Sequence, residues 1–198
     1  MQEKPARRSN KERTEATRAA LIAVARKLFV RKGYAETGTP EIVAQARVTR
    51  GALYHHFADK ADLFRAVVER EARAVAERIE RDTEEPRSAL GALMTGAEAY
   101  FAAMAVPGRV RLLLRDGPSV LGHAEMARID RETGAEELRQ GLAYAMQEGA
   151  LNDVPLDALT DLVSDAFDRA ALAIAEGGSE DDYKVAVRFM LEGLIGRA

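Results

Sequence analysis

Thr49-Arg50-Gly51-Ala52-Leu53-Tyr54-His55-His56-Phe57-Ala58-Asp59-Lys60 decides how this chain folds, because it reads as a short helix with an unusual surface. A hydroxyl at the start of a helix accepts a hydrogen bond from a backbone N–H that the first turn leaves without a partner, so Thr49 predicts the beginning. Leu53 and Phe57, four apart, fall on one stripe, which the helical period predicts as buried. Arg50, Gly51, Tyr54, His55 and Lys60 are left facing outward. Cations and an aromatic ring on so short a helix suit contact with a charged partner.

The residues before it complete a motif. Thr39-Pro40-Glu41-Ile42-Val43-Ala44-Gln45-Ala46 offers a hydroxyl cap, a proline in the first turn and apolar Ile42, Val43 and Ala46, which predicts about two helical turns. Arg47-Val48-Thr49 then forms a three-residue turn. Two short helices joined so tightly make a helix-turn-helix, whose second member enters the DNA major groove while the first braces it across the backbone.

From Thr17 to about Val67 the chain resembles the tetracycline-repressor (TetR) family of bacterial regulators. The residues that carry this are Ala25-Arg26-Lys27-Leu28-Phe29, Gly33-Tyr34, Thr37, Ile42, the run from Val48 to Phe57, Lys60 and Leu63. The resemblance covers roughly a quarter of the chain. It implies an all-α protein with a three-helix DNA-binding head and a helical body that binds an effector and dimerises. The candidate DNA contacts are then Thr37, Thr39, Thr49, Arg50, Gly51, Tyr54, His55, His56 and Lys60. Gly51 lets a backbone approach closely, Tyr54 reaches a phosphate or a thymine methyl, Arg50 bonds guanine or phosphate, and Lys60 sits beside helix N-terminal amides that favour an anion. His55 is expected to be the more exposed histidine and His56 the one nearer the edge of the head. Two positions depart from the family pattern. Arg47 stands where glycine is usual, and a left-handed backbone there would cost about 1 to 2 kcal/mol. Gly38 replaces a small hydroxyl residue, which weakens a phosphate contact.

Charge is segregated along the chain. Of 29 Lys and Arg and 32 Asp and Glu, residues 1–60 hold 13 and 6, a net of +7, and the remainder holds 16 and 26, a net of −10. A basic end on an acidic body is the electrostatic footprint of a DNA-binding head. Arg7, Arg8, Lys11 and Arg13 either lie along phosphates or form a solvated tail. With 47% hydrophobic and 31% charged residues the chain is ordinary for a globular protein. No apolar run reaches a membrane span, and the N-terminus has no signal-like segment, so the cytoplasm is expected. The absence of cysteine removes disulfides, thiolate metal sites and a cysteine nucleophile.

The expected organisation is a basic tail over 1–11, the head over 12–58 and the body over 59–198. Residues 12–32 form the first helix, with Leu21, Val24, Ala25 and Leu28 at helical spacing and Gly33 ending it. A long fourth helix starts at Asp59-Lys60 and turns Phe64, Val67, Ala72, Val75, Ala76 and Ile79 inward until Asp82 to Pro86. Leu90 to Met104 is helical and closed by Pro107-Gly108. Val110–Arg115 is a short helix ended by Asp116-Gly117-Pro118. Leu121–Glu148 is helical with a break at Thr133-Gly134. Leu156–Ala175 and Glu180–Gly196 form a terminal hairpin.

That hairpin has wide apolar faces. In the family it resembles, the pair forms a four-helix bundle across a two-fold axis, so Leu159, Val163, Phe167, Tyr183, Val187, Met190, Leu191 and Leu194 are the candidate homodimer contacts; the alternative is a purely internal hairpin. Met94, Tyr100, Phe101, Met104, Leu113, Met126, Tyr144 and Phe167 either simply fill the core or line a mostly apolar small-molecule site, with Arg115 and Asp116 as polar handles or as helix caps. Asp157, Asp161, Asp165 and Asp168 make an acidic stripe read as a solvated face. His123 is read as a surface or hydrogen-bonded residue. Adjacent His55 and His56 cannot hold one metal, and no metal or cofactor motif occurs.

The expectation is therefore a ligand-responsive regulator of a double-stranded operator, a repressor released by a small apolar effector. An activator or ligand-binding protein of the same architecture is the alternative. A helical enzyme lacks any recognisable nucleophile or base, and an adaptor would use the hairpin on another protein.

Overall fold

The computed structural model describes residues 10–83 and 88–195, and these are helical with no strand among them. In chain order the helices are α1 (Asn10–Lys32), α2 (Thr39–Ala46), α3 (Arg50–His56), α4 (Lys60–Asp82), α5 (Ala89–Met104), a π-helical segment (Arg111–Asp116), α6 (Gly117–Leu121), α7 (His123–Arg131), α8 (Gly134–Gln147), α9 (Leu156–Ala175) and α10 (Glu180–Ile195). The expected tail falls outside the described residues as far as residue 9, and Asn10 and Lys11 belong to α1. The chain forms two compact units, one up to Val68 and one from Glu69.

The first unit is built around aromatic packing. α1 buries Leu21, Ile22, Ala25, Leu28 and Phe29, a stripe that repeats at three and four residues. The Phe29 ring meets Phe64 of α4 edge to face, with centroids 5.1 Å apart. Ile42, Leu53 and Phe57 complete the core. Lys32 and Arg31 both reach the Glu41 carboxylate, at 2.7 and 3.3 Å, which pins α2 to the end of α1.

The turn between α2 and α3 has the conformation the sequence anticipates. Arg47 sits at φ 55°, ψ 39°, and its N–H closes the end of α2 on Ala44 O. Thr49 caps α3, its Oγ1 accepting from Ala52 N at 3.1 Å. At α2 the expectation fails: the cap position is Gly38, which supplies no side-chain hydrogen bond, and Thr39 lies inside the helix.

In the second unit α5, α8, α9 and α10 pack on one another, with α7 against α8. A buried ion pair joins Glu71 of α4 to Arg109 at 3.1 Å, and Arg109 Nη1 also donates to Ala103 O at 2.7 Å. Asp116-Gly117-Pro118 does not end the short helix as expected. The π-helical segment passes straight into α6, where Pro118 occupies the first turn and its missing N–H costs nothing. Gly117 is needed there for space, since a Cβ would come within 2.9 Å of both Leu112 O and Met126 Sδ. The break expected at Thr133-Gly134 separates α7 from α8, and the hairpin helices occupy the expected ranges as far as Ile195.

Candidate functional site

α3 presents a small aromatic and cationic face. Tyr54 is 43% exposed, and the Arg50 guanidinium lies over its ring, 5.5 Å from the centroid. The Tyr54 phenol pKa is lowered by the nearby side chains of Thr39, on α2, first and then of Arg50. Arg50, Gly51 and His55 are exposed. A Cβ on Gly51 would meet only Thr49 Oγ1, at 3.8 Å, so nothing inside the chain demands glycine there. His56 is half-buried, and burial first, then His55 and Arg18, lowers its pKa, so it is neutral near pH 7.

Two candidate contacts have other tasks. Thr37 is 0% exposed, and its hydroxyl donates to Gly33 O at 2.7 Å, so its side chain cannot touch DNA. It locks the loop after α1. Lys60 donates to Tyr34 O at 3.0 Å and Thr37 O at 3.1 Å, with its ammonium 4.2 Å from the Tyr34 ring centroid. Two of its three N–H groups therefore fasten that same loop to the start of α4.

The second unit contains a partly open cavity of about 650 Å³. Tyr100, Met104, Leu113, Met126, Tyr144 and Phe167 line it as a set, together with Ala72, Val75 and Ile79 of α4. Four other expected liners do not. Phe101 is buried and borders a separate, smaller recess, and Met94 is half-buried outside the lining. Arg115 pairs with Glu176 at 2.8 Å, and Asp116 with Arg111 at 3.2 Å. These ion pairs spend both polar handles at the surface.

The polar groups of the cavity are ones the sequence reading passed over. Asp168 faces inward rather than to solvent, and the Tyr100 hydroxyl donates to its Oδ1 at 2.5 Å. Burial pushes the Asp168 carboxyl up to about 7, with Asp130 and Asp165 adding repulsion against the opposing Tyr100 bond. Burial also raises Asp130, which accepts from Ser164 Oγ at 3.0 Å and from the Ala135 N–H. Tyr100 is held well above its usual range, again by burial first and then by Asp168. His123 is exposed at the cavity lining. The helical period carries no signal for this: at about 100° per residue Asp168 falls within the arc of Asp157, Asp161 and Asp165. Among the described residues no group of three acidic or imidazole side chains is placed to hold a metal ion.

On the hairpin, half of the expected dimer contacts belong to the chain's own core. Val163, Phe167, Val187 and Leu191 are buried within the single chain, while Leu159, Tyr183, Met190 and Leu194 are half-buried. The apolar residues left in water are different ones: Leu162, Val185 and Phe189, at 69%, 66% and 78% exposure. No described helix is long and apolar enough to cross a membrane.

Comparison with known proteins agrees with this architecture. Residues 21–67 match the profile "Bacterial regulatory proteins, tetR family", and residues 90–196 match "Tetracyclin repressor-like, C-terminal domain". The HTH-type transcriptional regulator AcrR of Shigella flexneri is 44% identical over 62 residues, which span 31% of this chain and 29% of AcrR. The chain thus aligns with under a third of that relative's length. A TetR-family transcriptional regulator from Pectobacterium atrosepticum is 32% identical, with 95% of this chain and 98% of that one superimposed at a TM-score of 0.74. RolR, solved with resorcinol, shares the fold at 17% identity and a TM-score of 0.71 over 96% and 97% of the two chains. With both of its units matched and a relative similar along nearly its whole length, this chain belongs to the TetR family of bacterial regulatory proteins.

Proposed function

We propose that the protein is a homodimeric transcription regulator, a repressor that leaves a palindromic DNA operator when a small, mostly apolar ligand fills the cavity of its second unit. The observation that carries this reading is the outward face of α3, where the Arg50 guanidinium lies over the exposed Tyr54 ring beside a glycine with open space around it. Arg50 matches the paired acceptors of guanine or a phosphate, Tyr54 a phosphate or thymine methyl, and Gly51 leaves room for the groove wall. Thr39, Thr49 and His55 flank this face, and Lys60 contributes by fixing the loop and by its remaining N–H.

A palindromic operator needs two copies, with half-sites about 34 to 36 Å apart. The exposed Leu162, Val185 and Phe189 on α9 and α10 supply the apolar face that a second copy would cover, flanked by the half-buried Leu159, Tyr183, Met190 and Leu194. The cavity supplies the control. α4 contributes Ala72, Val75 and Ile79 to its wall, and a ligand that binds better when this helix is displaced would shift the population away from the DNA-competent state. Only the difference in affinity between the two states does that work. Such a protein acts in the cytoplasm.

Genomic fragments retained by the purified protein would be sequenced and the recovered site titrated by fluorescence anisotropy. The expected result is one inverted repeat bound by a species of twice 21.6 kDa. An affinity that falls steeply between 50 and 200 mM salt, by about a thousandfold or more, would report the phosphate contacts. Fragments with no common site would overturn the reading.

A further inference from the structure

The lining of the cavity is charged in one sense. Asp130, Asp161, Asp165, Asp168 and Glu137 face it, against Arg131 and His123, while Tyr100, Tyr144 and Phe167 supply rings. The partners of Asp130 and Asp168 are hydroxyls and a backbone N–H, and among the described residues neither carboxyl is paired with a lysine or arginine. Two carboxyls withdrawn from water without a cation are costly to ionise, and a positive charge beside them offsets that cost by attraction and screens their mutual repulsion. Among the described residues no three such groups are placed to hold a metal ion, and the remaining wall is mostly apolar and aromatic, which suits a ring system and favours a cation over its faces.

We propose that the cavity takes an apolar organic ammonium, an aryl or alkyl amine in its protonated form, with the charged nitrogen at Asp130 and Asp168. This rests on the cavity being the effector site. The Asp168 carboxyl, pushed up to about 7, gives up its proton as the cation enters. The titratable groups facing it are Tyr100 on α5, Asp130, His123 and Arg131 on α7, Glu137 and Tyr144 on α8, and Asp161 and Asp165 on α9. Of these, Asp130 and Glu137 act in the same direction, since burial raises both.

The test uses the full-length protein and three matched probes, 1-naphthylmethylammonium, 1-naphthylmethanol and 1-naphthoate, in isothermal titration calorimetry at pH 6, 7 and 8 in buffers of different ionisation enthalpy. The ammonium is expected to bind at least tenfold more tightly than the alcohol at pH 8, and the naphthoate most weakly. Its affinity rises about tenfold from pH 6 to pH 8, with about half a proton released at pH 7, as a single carboxyl titrating near 7 requires. Asp168→Asn abolishes the proton release and flattens the pH dependence, Asp157→Asn on the exposed stripe does neither, and circular dichroism verifies that both variants are folded. Alcohol or naphthoate binding as tightly as the ammonium overturns the proposal while leaving the cavity as a ligand site. Ammonium selectivity that survives both Asp168→Asn and Asp130→Asn overturns it as well. Failure of all three probes overturns it together with the effector reading, and operator titration of the same samples shows independently whether the DNA-binding reading stands.

Discussion

Replacing Asp168 by asparagine should stabilise the folded protein, and by more as the pH rises. The carboxyl titrates near 3.8 when the chain is unfolded and at about 7 in the folded cavity. Between those values the folded state holds more protons than the unfolded one, so stability falls with rising pH across that window and stays low above it. Each unit of difference corresponds to about 1.4 kcal/mol, so the ionised group costs the fold roughly 4 kcal/mol at pH 8 and less than 2 kcal/mol at pH 5. Asparagine keeps an oxygen for the Tyr100 hydroxyl, which donates to Asp168 Oδ1, and carries no charge at any pH. Urea unfolding of both proteins at pH 5 and pH 8, at one fixed concentration, should show the advantage of the variant growing by about 2.5 kcal/mol. An advantage that is the same at both pH values, or a variant less stable at pH 8, would refute the burial of an unpaired carboxyl.

Arg47→Gly relieves a left-handed backbone at φ 55° and should raise stability by about 1 kcal/mol in denaturant unfolding, after the extra freedom that glycine gives the unfolded chain. Thr37→Val removes a buried hydroxyl that donates to Gly33 O and should cost about 1 to 2 kcal/mol, with operator affinity of the folded protein unchanged if Thr37 has no contact with DNA. Phe189→Glu places a charge on the most exposed apolar ring of the hairpin, and analytical ultracentrifugation should then report a species near 21.6 kDa instead of twice that mass.

What the sequence made legible was local. The Thr49 cap, the Leu53 and Phe57 stripe and the strained Arg47 are all specified by neighbours within a few positions, and each occurs as expected. Thr37 was misplaced because a threonine in a loop looks the same whether its hydroxyl meets water or a carbonyl four residues back. The hairpin shows a different limit. Its helices are apolar on more than one side, so periodicity marks a wide stripe without saying which edge turns inward. The chain's own core took Val163, Val187 and Leu191 and left Leu162, Val185 and Phe189 outside. Asp168 was hidden because its environment comes from Tyr100, on another helix and far away in sequence, and no local pattern encodes that pairing.

The most direct test of the account is operator affinity after changing only the outward face of α3. Arg50→Ala and Tyr54→Ala, in a fluorescence-anisotropy titration on the recovered site, should each weaken binding about tenfold or more, while Arg115→Ala, in the second unit, should not. Unchanged affinity in both α3 variants, with their folds intact, would contradict the assignment of this face to DNA.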